Sequence, residues 1–90
     1  MDGVTLGDVV AAAVRAERAR KRMSQRDLAA QLGWHPNTLA DLEAGRRRPA
    51  VEDLPRLCRA LGVDLLTLFF RADAEDLSAM GLNRPGPGQA

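Results

Sequence analysis

Tyrosine is absent from these 90 residues, tryptophan occurs once and phenylalanine twice. Proteins that hold single-stranded nucleic acid stack the bases on several aromatic rings, so three rings leave that function poorly supported. Cys58 is the one cysteine. It excludes an internal disulfide and a cysteine-based zinc cluster, and it fits a reducing compartment. Flanked by Leu57 and set near Leu61, it reads as a small core residue. There is one histidine, no serine or cysteine nucleophile with a base at a workable spacing, and no glycine-rich phosphate loop. Neither an enzyme nor a bound metal or other cofactor is therefore expected. No apolar run approaches the ~18 residues of a membrane span, and the start lacks a signal-peptide pattern. A cytoplasmic protein that meets no membrane is the expectation. No internal repeat is apparent.

What is present suits one small globular domain. Hydrophobic residues make up 46% and charged residues 28%, enough for a single core of packed helices. The net charge of +1 is unevenly spread. Residues 1–60 carry 11 basic against 8 acidic side chains, and residues 61–90 carry 2 against 4. The basic groups gather at Arg18, Arg20, Lys21, Arg22 and Arg26, and again at Arg46, Arg47 and Arg48. Phosphate attraction is screened within about 10 Å, so such local patches matter more than the sum. The plainer reading of the first patch is a solvated helix face.

Helix signals divide the chain. Thr5 and Asp8 form a capping box for a first helix reaching Arg22, with Val4 and Val9 as a staple. Val10, Val14 and Arg18 recur at i, i+4 and i+8, which carries Arg18 onto the inward face. Ser24 and Asp27 repeat the capping box for a second helix ending at Gly33, with Leu28, Ala29 and Leu32 as its buried stripe. Trp34 and Leu39 staple a third helix around His35, Pro36 takes the first helical position, and the helix runs from Pro36 to Ala44. Leu39 and Leu42 should point inward, and Asn37, Ala40, Asp41 and Ala44 outward. Glu43, at the edge of the inward face, is the expected partner of Arg18. A fourth helix spans Val51–Leu61 with Leu54, Leu57, Cys58 and Leu61 inward. Asp64 caps a fifth, in which Leu65, Leu68 and Phe69 fill the core. Residues 71–90 turn acidic and then rich in proline and glycine. A mostly disordered tail is expected there, with at most a fraying helical turn at Asp76–Met80.

Short helix, glycine turn, second helix and a triple-arginine loop together describe a device for seating one helix in the major groove of DNA. With Arg18, Ser24-Gln25, Leu28-Ala29, Gly33, Leu39, Leu42-Glu43, Gly45, Pro49, Leu61-Gly62-Val63 and Phe69 in place, the chain resembles the Cro/C1-type helix-turn-helix family, also called XRE or lambda repressor-like. The resemblance spans about Leu6 to Phe70. It implies an all-α, compact five-helix DNA-binding domain over residues 1–70, a cytoplasmic transcriptional regulator such as a repressor. It further implies a homodimer on a palindromic double-stranded operator, with the third helix reading bases.

Carried over by residue, the resemblance makes Arg18 and Glu43 a structural ion pair. Gln25 becomes a phosphate ligand that also braces the third helix, and helix N-termini favour phosphate in any case. His35, Asn37, Thr38 and Asp41 fall where the family faces bases or nearby phosphates. Asn37 can pair with adenine N6 and N7, and His35 has helix capping as its competing role. Asp41 departs from the neutral or basic residue usual there and needs cytosine N4 or an arginine such as Arg46 or Arg47. Arg22 stands where the family often has glycine, so it either takes a left-handed conformation or extends the helix. Glu17 replaces a usual apolar residue and is expected to be partly exposed. Arg26, Arg46, Arg47 and Arg48 complete the phosphate contacts. Leu66, Thr67 and Phe70 should form the dimer contact, with Leu77 or Met80 added from the tail; the alternative is that the tail covers them within one subunit. The rival functional reading is an antitoxin or other protein-interaction module whose acidic segment Ala72–Met80 grips a partner protein.

Overall fold

A computed structural model describes residues 5–70, the side chains of Phe69 and Phe70 excepted. Among the described residues there are five helices: α1 (Leu6–Arg20), α2 (Gln25–Leu32), α3 (Pro36–Glu43), α4 (Asp53–Leu61) and α5 (Leu65–Phe70). The all-α expectation holds. Val4 and its staple, the tail over 71–90 and the turn at Asp76–Met80 lie outside the described residues.

The helices begin and end where the sequence supplies partners for their open backbone groups. Thr5 Oγ1 accepts from the Asp8 N–H at 3.1 Å while Asp8 Oδ2 accepts from the Thr5 N–H at 3.1 Å. Ser24 and Asp27 exchange the same bonds at 3.0 and 3.3 Å. Removing such a cap typically costs ~1 kcal/mol. At the far end of α2, Gly33 adopts φ 72° and lets the Trp34 N–H reach back to the Ala29 carbonyl at 2.8 Å. This left-handed cap turns the chain into α3. Arg22 does the same work after α1 at φ 54°, with the Met23 N–H on the Arg18 carbonyl at 3.0 Å. A side chain in that region carries strain of about 1 kcal/mol. Of the two outcomes open to Arg22, the structure takes the left-handed turn, and α1 stops at Arg20.

Two further boundaries differ from expectation. The third helix ends at Glu43, with Ala44 as its C-cap. The fourth starts at Asp53 because Val51 and Glu52 form a turn: the Asp53 N–H donates to the Ala50 carbonyl at 2.9 Å, and Asp53 Oδ2 accepts from the Ala50 N–H at 2.9 Å. Val51 is left 77% exposed. Pro55 falls in the first turn of α4, where its missing N–H is tolerated.

The α2–α3 pair packs on α1 and α4, and α5 closes against α1 and α4. One core joins Val10, Ala13 and Val14 of α1, Leu28, Ala29 and Leu32 of α2, Leu39 and Leu42 of α3, Leu57 and Leu61 of α4, and Leu68 of α5. Met23, Trp34, Leu54, Cys58 and Val63 pack at its margin, so Leu54 and Cys58 are half-buried rather than central. Leu65, expected inside, is 45% exposed. It is the first residue of α5, and Val63, two residues before it, packs against the core. Glu17 corrects the sequence reading in the opposite sense: it is buried, with Arg20 Nη1 3.4 Å from its carboxylate. The reason is periodicity, since Val10, Ala13, Val14 and Glu17 fall at i, i+3, i+4 and i+7 on one stripe.

Candidate nucleic-acid interface

The inner side of α3 is fixed by apolar contact and by one carboxylate. Leu39 and Leu42 are fully buried, and Glu43 beside them is 2% exposed. Arg18 Nε donates to Glu43 Oε2 at 2.8 Å and Arg18 Nη2 to Oε1 at 3.1 Å. Gln25 Nε2 also donates to Oε1, at 2.9 Å. The expected ion pair is therefore present as a two-point fork, the stronger geometry for a guanidinium and a carboxylate. Arg18 Nη1 further donates to the Met23 carbonyl at 2.9 Å, tying the α1–α2 turn to the same knot. Gln25 sits at the start of α2 with one amide N–H committed to Glu43, which gives it the bracing role expected of it.

Two arginines that the sequence reading passed over complete the frame. Arg15 Nη1 of α1 donates to the Glu43 main-chain carbonyl, and Arg56 Nη2 of α4 donates to the Leu32 main-chain carbonyl. Neither α2 nor α3 has a basic residue in its own last turn. The carbonyl ends of both helices, where the dipole is negative, thus receive cations from flanking helices. A signal existed for Arg15, which precedes Arg18 by three residues and so shares its helix face. None existed for Arg56, whose partner is 24 residues away.

The outer side of α3 begins at His35. Its Nδ1 accepts from the Asn37 N–H at 3.1 Å, so the imidazole caps the helix and carries any N–H of its neutral form on Nε2. Asn37 and Ala44 are exposed, and Thr38, Ala40 and Asp41 are half-buried. Asp41 is held by Arg46, whose Nε and Nη2 both lie 3.0 Å from Oδ1. Of the two arginines considered for it, Arg46 is the one found.

The triple-arginine corner divides three ways. Arg46 turns back over α3. Arg47 lies over the Trp34 ring, 5.8 Å from its centroid, a cation–π contact that draws the loop alongside the start of α3. Arg48 runs along the first turn of α1, where a methyl on Gly7 would meet its Cγ at 3.7 Å. There it lines a groove of about 220 Å³ with Leu6, Val10, Pro49, Val51 and Leu54. Arg26 is exposed in the first turn of α2. The structure therefore brings His35, Asn37, Thr38, Asp41 and Arg46 onto or beside one helix and sets Arg48 apart.

Leu66, Thr67 and Phe70 lie on α5, away from the knot at Glu43. Leu66 is 72% exposed, Thr67 is half-buried, and the Phe70 side chain lies outside the described residues. Asp64 caps this helix, accepting from the Thr67 N–H at 2.7 Å. No helix among the described residues is long and apolar enough to cross a membrane.

Known proteins share this arrangement. The helix-turn-helix family matches over residues 14–68. The chain is similar to multiprotein-bridging factor 1 of Debaryomyces hansenii, with 43% identity over 56 residues, 62% of this chain and 37% of that protein. Multiprotein-bridging factor 1 of Saccharomyces cerevisiae gives the same identity and the same shares. The matched segment thus spans well under half the length of these curated relatives. Among solved structures, the clp gene regulator ClgR of C. glutamicum superposes with a TM-score of 0.73 at 30% identity, covering 88% of this chain and 96% of that one. The restriction-modification controller protein C.Esp1396I, solved as a tetramer with its natural 35 base-pair operator, superposes at 0.67 over 74% of this chain and 88% of that one. Its 22% identity speaks for the fold alone. Match, fold and knotted third helix agree: the chain belongs to the helix-turn-helix family, in its Cro/C1 (XRE) branch of DNA-binding domains.

Proposed function

We propose that this protein is a sequence-specific regulator of transcription that docks α3 in the major groove of double-stranded DNA as a homodimer on a palindromic operator. The observation that carries the reading is the two-sidedness of α3. Its inner side is gripped by Arg18, Gln25 and Arg15, while Asn37 stands exposed on the other. A helix held from behind with a polar outer face is what groove insertion needs. Asn37 reads adenine through N6 and N7, with His35 and Thr38 beside it. Gln25, Arg26 and Arg47 meet phosphates. No enzymatic step and no cofactor enter this reading, and a cytoplasmic location suits it. Exposed Leu66, with Thr67 and Phe70, forms the contact between copies, and docking on a palindrome requires the two α3 helices to stand about one DNA turn, ~34 Å, apart.

Site selection from random duplexes tests this directly. The wild-type chain should return a palindromic motif, and Asn37→Ala should relax one base pair in each half-site. An unchanged motif from that variant sinks the assignment. With three or four phosphates neutralised per subunit, the log–log salt slope should be on the order of −5 to −7 for a dimer. Leu66→Glu should sediment as a monomer. A second reading, a module that engages a partner protein through its C-terminal part, draws support from the name of the relatives, multiprotein-bridging factor. Co-purification with a basic partner favours it, and a lone dimer shifting a promoter fragment favours the first.

A further inference from the structure

Asp41 fits a DNA-facing helix worst of all its residues, because a bare carboxylate on the outward face repels phosphate. Its surroundings reverse that expectation. The chain after α3 folds back so that the Arg46 and Arg47 N–H groups both donate to the Asp41 carbonyl, at 2.9 and 3.2 Å. The Arg46 side chain then lies over the carboxylate, with Nε and Nη2 both 3.0 Å from Oδ1. This fastening occupies the Nε–Nη2 edge of the guanidinium. Arg46 makes no other hydrogen bond or ion pair among the described residues, and its side chain is 67% exposed. Because the guanidinium is planar, fixing one edge fixes the direction of the other, formed by Nη1 and the second N–H of Nη2.

We propose that Asp41 and Arg46 act as one unit, in which Asp41 is a positioning residue and Arg46 reads a guanine through its N7 and O6. The assignment rests on the DNA-binding reading above and deepens it by naming a base. Electrostatics separates a base from the backbone as the target. The carboxylate cancels much of the long-range attraction that Arg46 would exert on phosphate, the term that dominates the strength of a phosphate contact. It leaves intact the short-range, directional pair of donors, which is what a base edge recognises. Only guanine offers two adjacent major-groove acceptors to that pair. Adenine sets a donor beside N7, cytosine presents a donor, and thymine offers one acceptor beside a methyl group. Asp41 stands one helical turn, ~6 Å, beyond Asn37, so the two residues address different base pairs.

The experiment uses the full chain and the duplex recovered by site selection, together with duplexes in which each guanine of the half-site is replaced in turn by adenine. Binding is followed by fluorescence anisotropy across a salt series, with circular dichroism confirming that each variant is folded. Wild type should prefer guanine at one position outside the base pair governed by Asn37, by roughly tenfold to a hundredfold. Arg46→Lys keeps the charge and should lose most of that ratio. Asp41→Asn should lower the ratio severalfold while strengthening binding to every sequence alike. A ratio untouched by Arg46→Lys overturns the proposal. So does an Arg46→Ala that weakens all sequences equally and flattens the salt slope by about one unit per subunit, the mark of a phosphate contact. Failure of wild type to select any motif fells the DNA-binding reading itself, a result distinct from either.

Discussion

Two carboxylates stand two residues apart on α3 and have opposite fates. Glu43 is 2% exposed, and its oxygens accept from Arg18 and Gln25. Asp41 keeps about half its side-chain surface and meets one arginine from its own loop. On a helix, two positions apart means about 200° of rotation, so one acid faces the core and the other faces away. The lesson concerns what each charge is for. A buried carboxylate on the inner side must be fully satisfied, and satisfying it draws three segments together. An exposed one contributes little to folding and is free to serve recognition.

The sharpest test replaces Glu43 by its amide. Glu43→Gln leaves the Arg18 guanidinium, itself only a fifth exposed, without a counter-charge in a confined site. Stability should fall by on the order of 3 kcal/mol, read as a lower urea midpoint with an unchanged slope. A loss below about 1 kcal/mol would erase the distinction between the two sides of the helix. Arg15→Met and Arg56→Met come next. Each removes the outside cation from one helix end while keeping a long apolar stem, and each should cost about 1 kcal/mol. If either variant costs nothing, the carbonyl it served finds water as readily as arginine, and the frame around α3 reduces to the Glu43 knot.

How much of this was legible beforehand follows from how local each signal is. Thr5 with Asp8 and Ser24 with Asp27 announce helix starts because their bonds close within three residues. Gly33 announces a stop because the conformation it takes is its own preference. Arg18–Glu43 was readable because Arg18 breaks an apolar stripe and so demands a partner. Glu17 stands where an apolar residue is usual and its charge argues for partial exposure, yet at i+7 from Val10 it lies on the inward face and is buried. Leu65 was placed inside because α5 carries more apolar residues than it can bury, and the sequence offers no rule for which is left out. Arg56 was beyond reach, since its carbonyl partner is the last residue of α2, which only the tertiary fold brings near. The three arginines at 46–48 looked like a single cluster, yet each answers to a different neighbour.

The exposed acids at helix starts extend the comparison to pH. Hydrogen bonds from Thr5, its N–H first, hold the Asp8 carboxyl below the usual carboxylate range, and bonds from the Thr67 hydroxyl and N–H do the same for Asp64. Both groups bind protons less readily folded than unfolded. Their contribution is therefore complete above the ordinary aspartate range and is lost as pH falls through the lowered values. Asp8→Asn and Asp64→Asn should each flatten the acid limb of a plot of melting temperature against pH and leave the shape of its neutral region unchanged. A variant that melts with the wild-type acid profile shows that its cap does not survive outside the static picture.

The smallest effect is expected where the contrast began. Asp41→Asn removes a charge from an exposed pair whose two side chains are 48% and 67% open to solvent. Such pairs are worth between nothing and about 1 kcal/mol, and the asparagine can still accept from Arg46. The urea midpoint should move by no more than the equivalent of ~0.5 kcal/mol, while Glu43→Gln on the same helix moves it several times as far. Equal losses would mean that Asp41, too, is part of what holds the helix in place. Unequal ones leave the carboxylate without a folding role, and its remaining structural effect is the direction it gives to the Arg46 guanidinium.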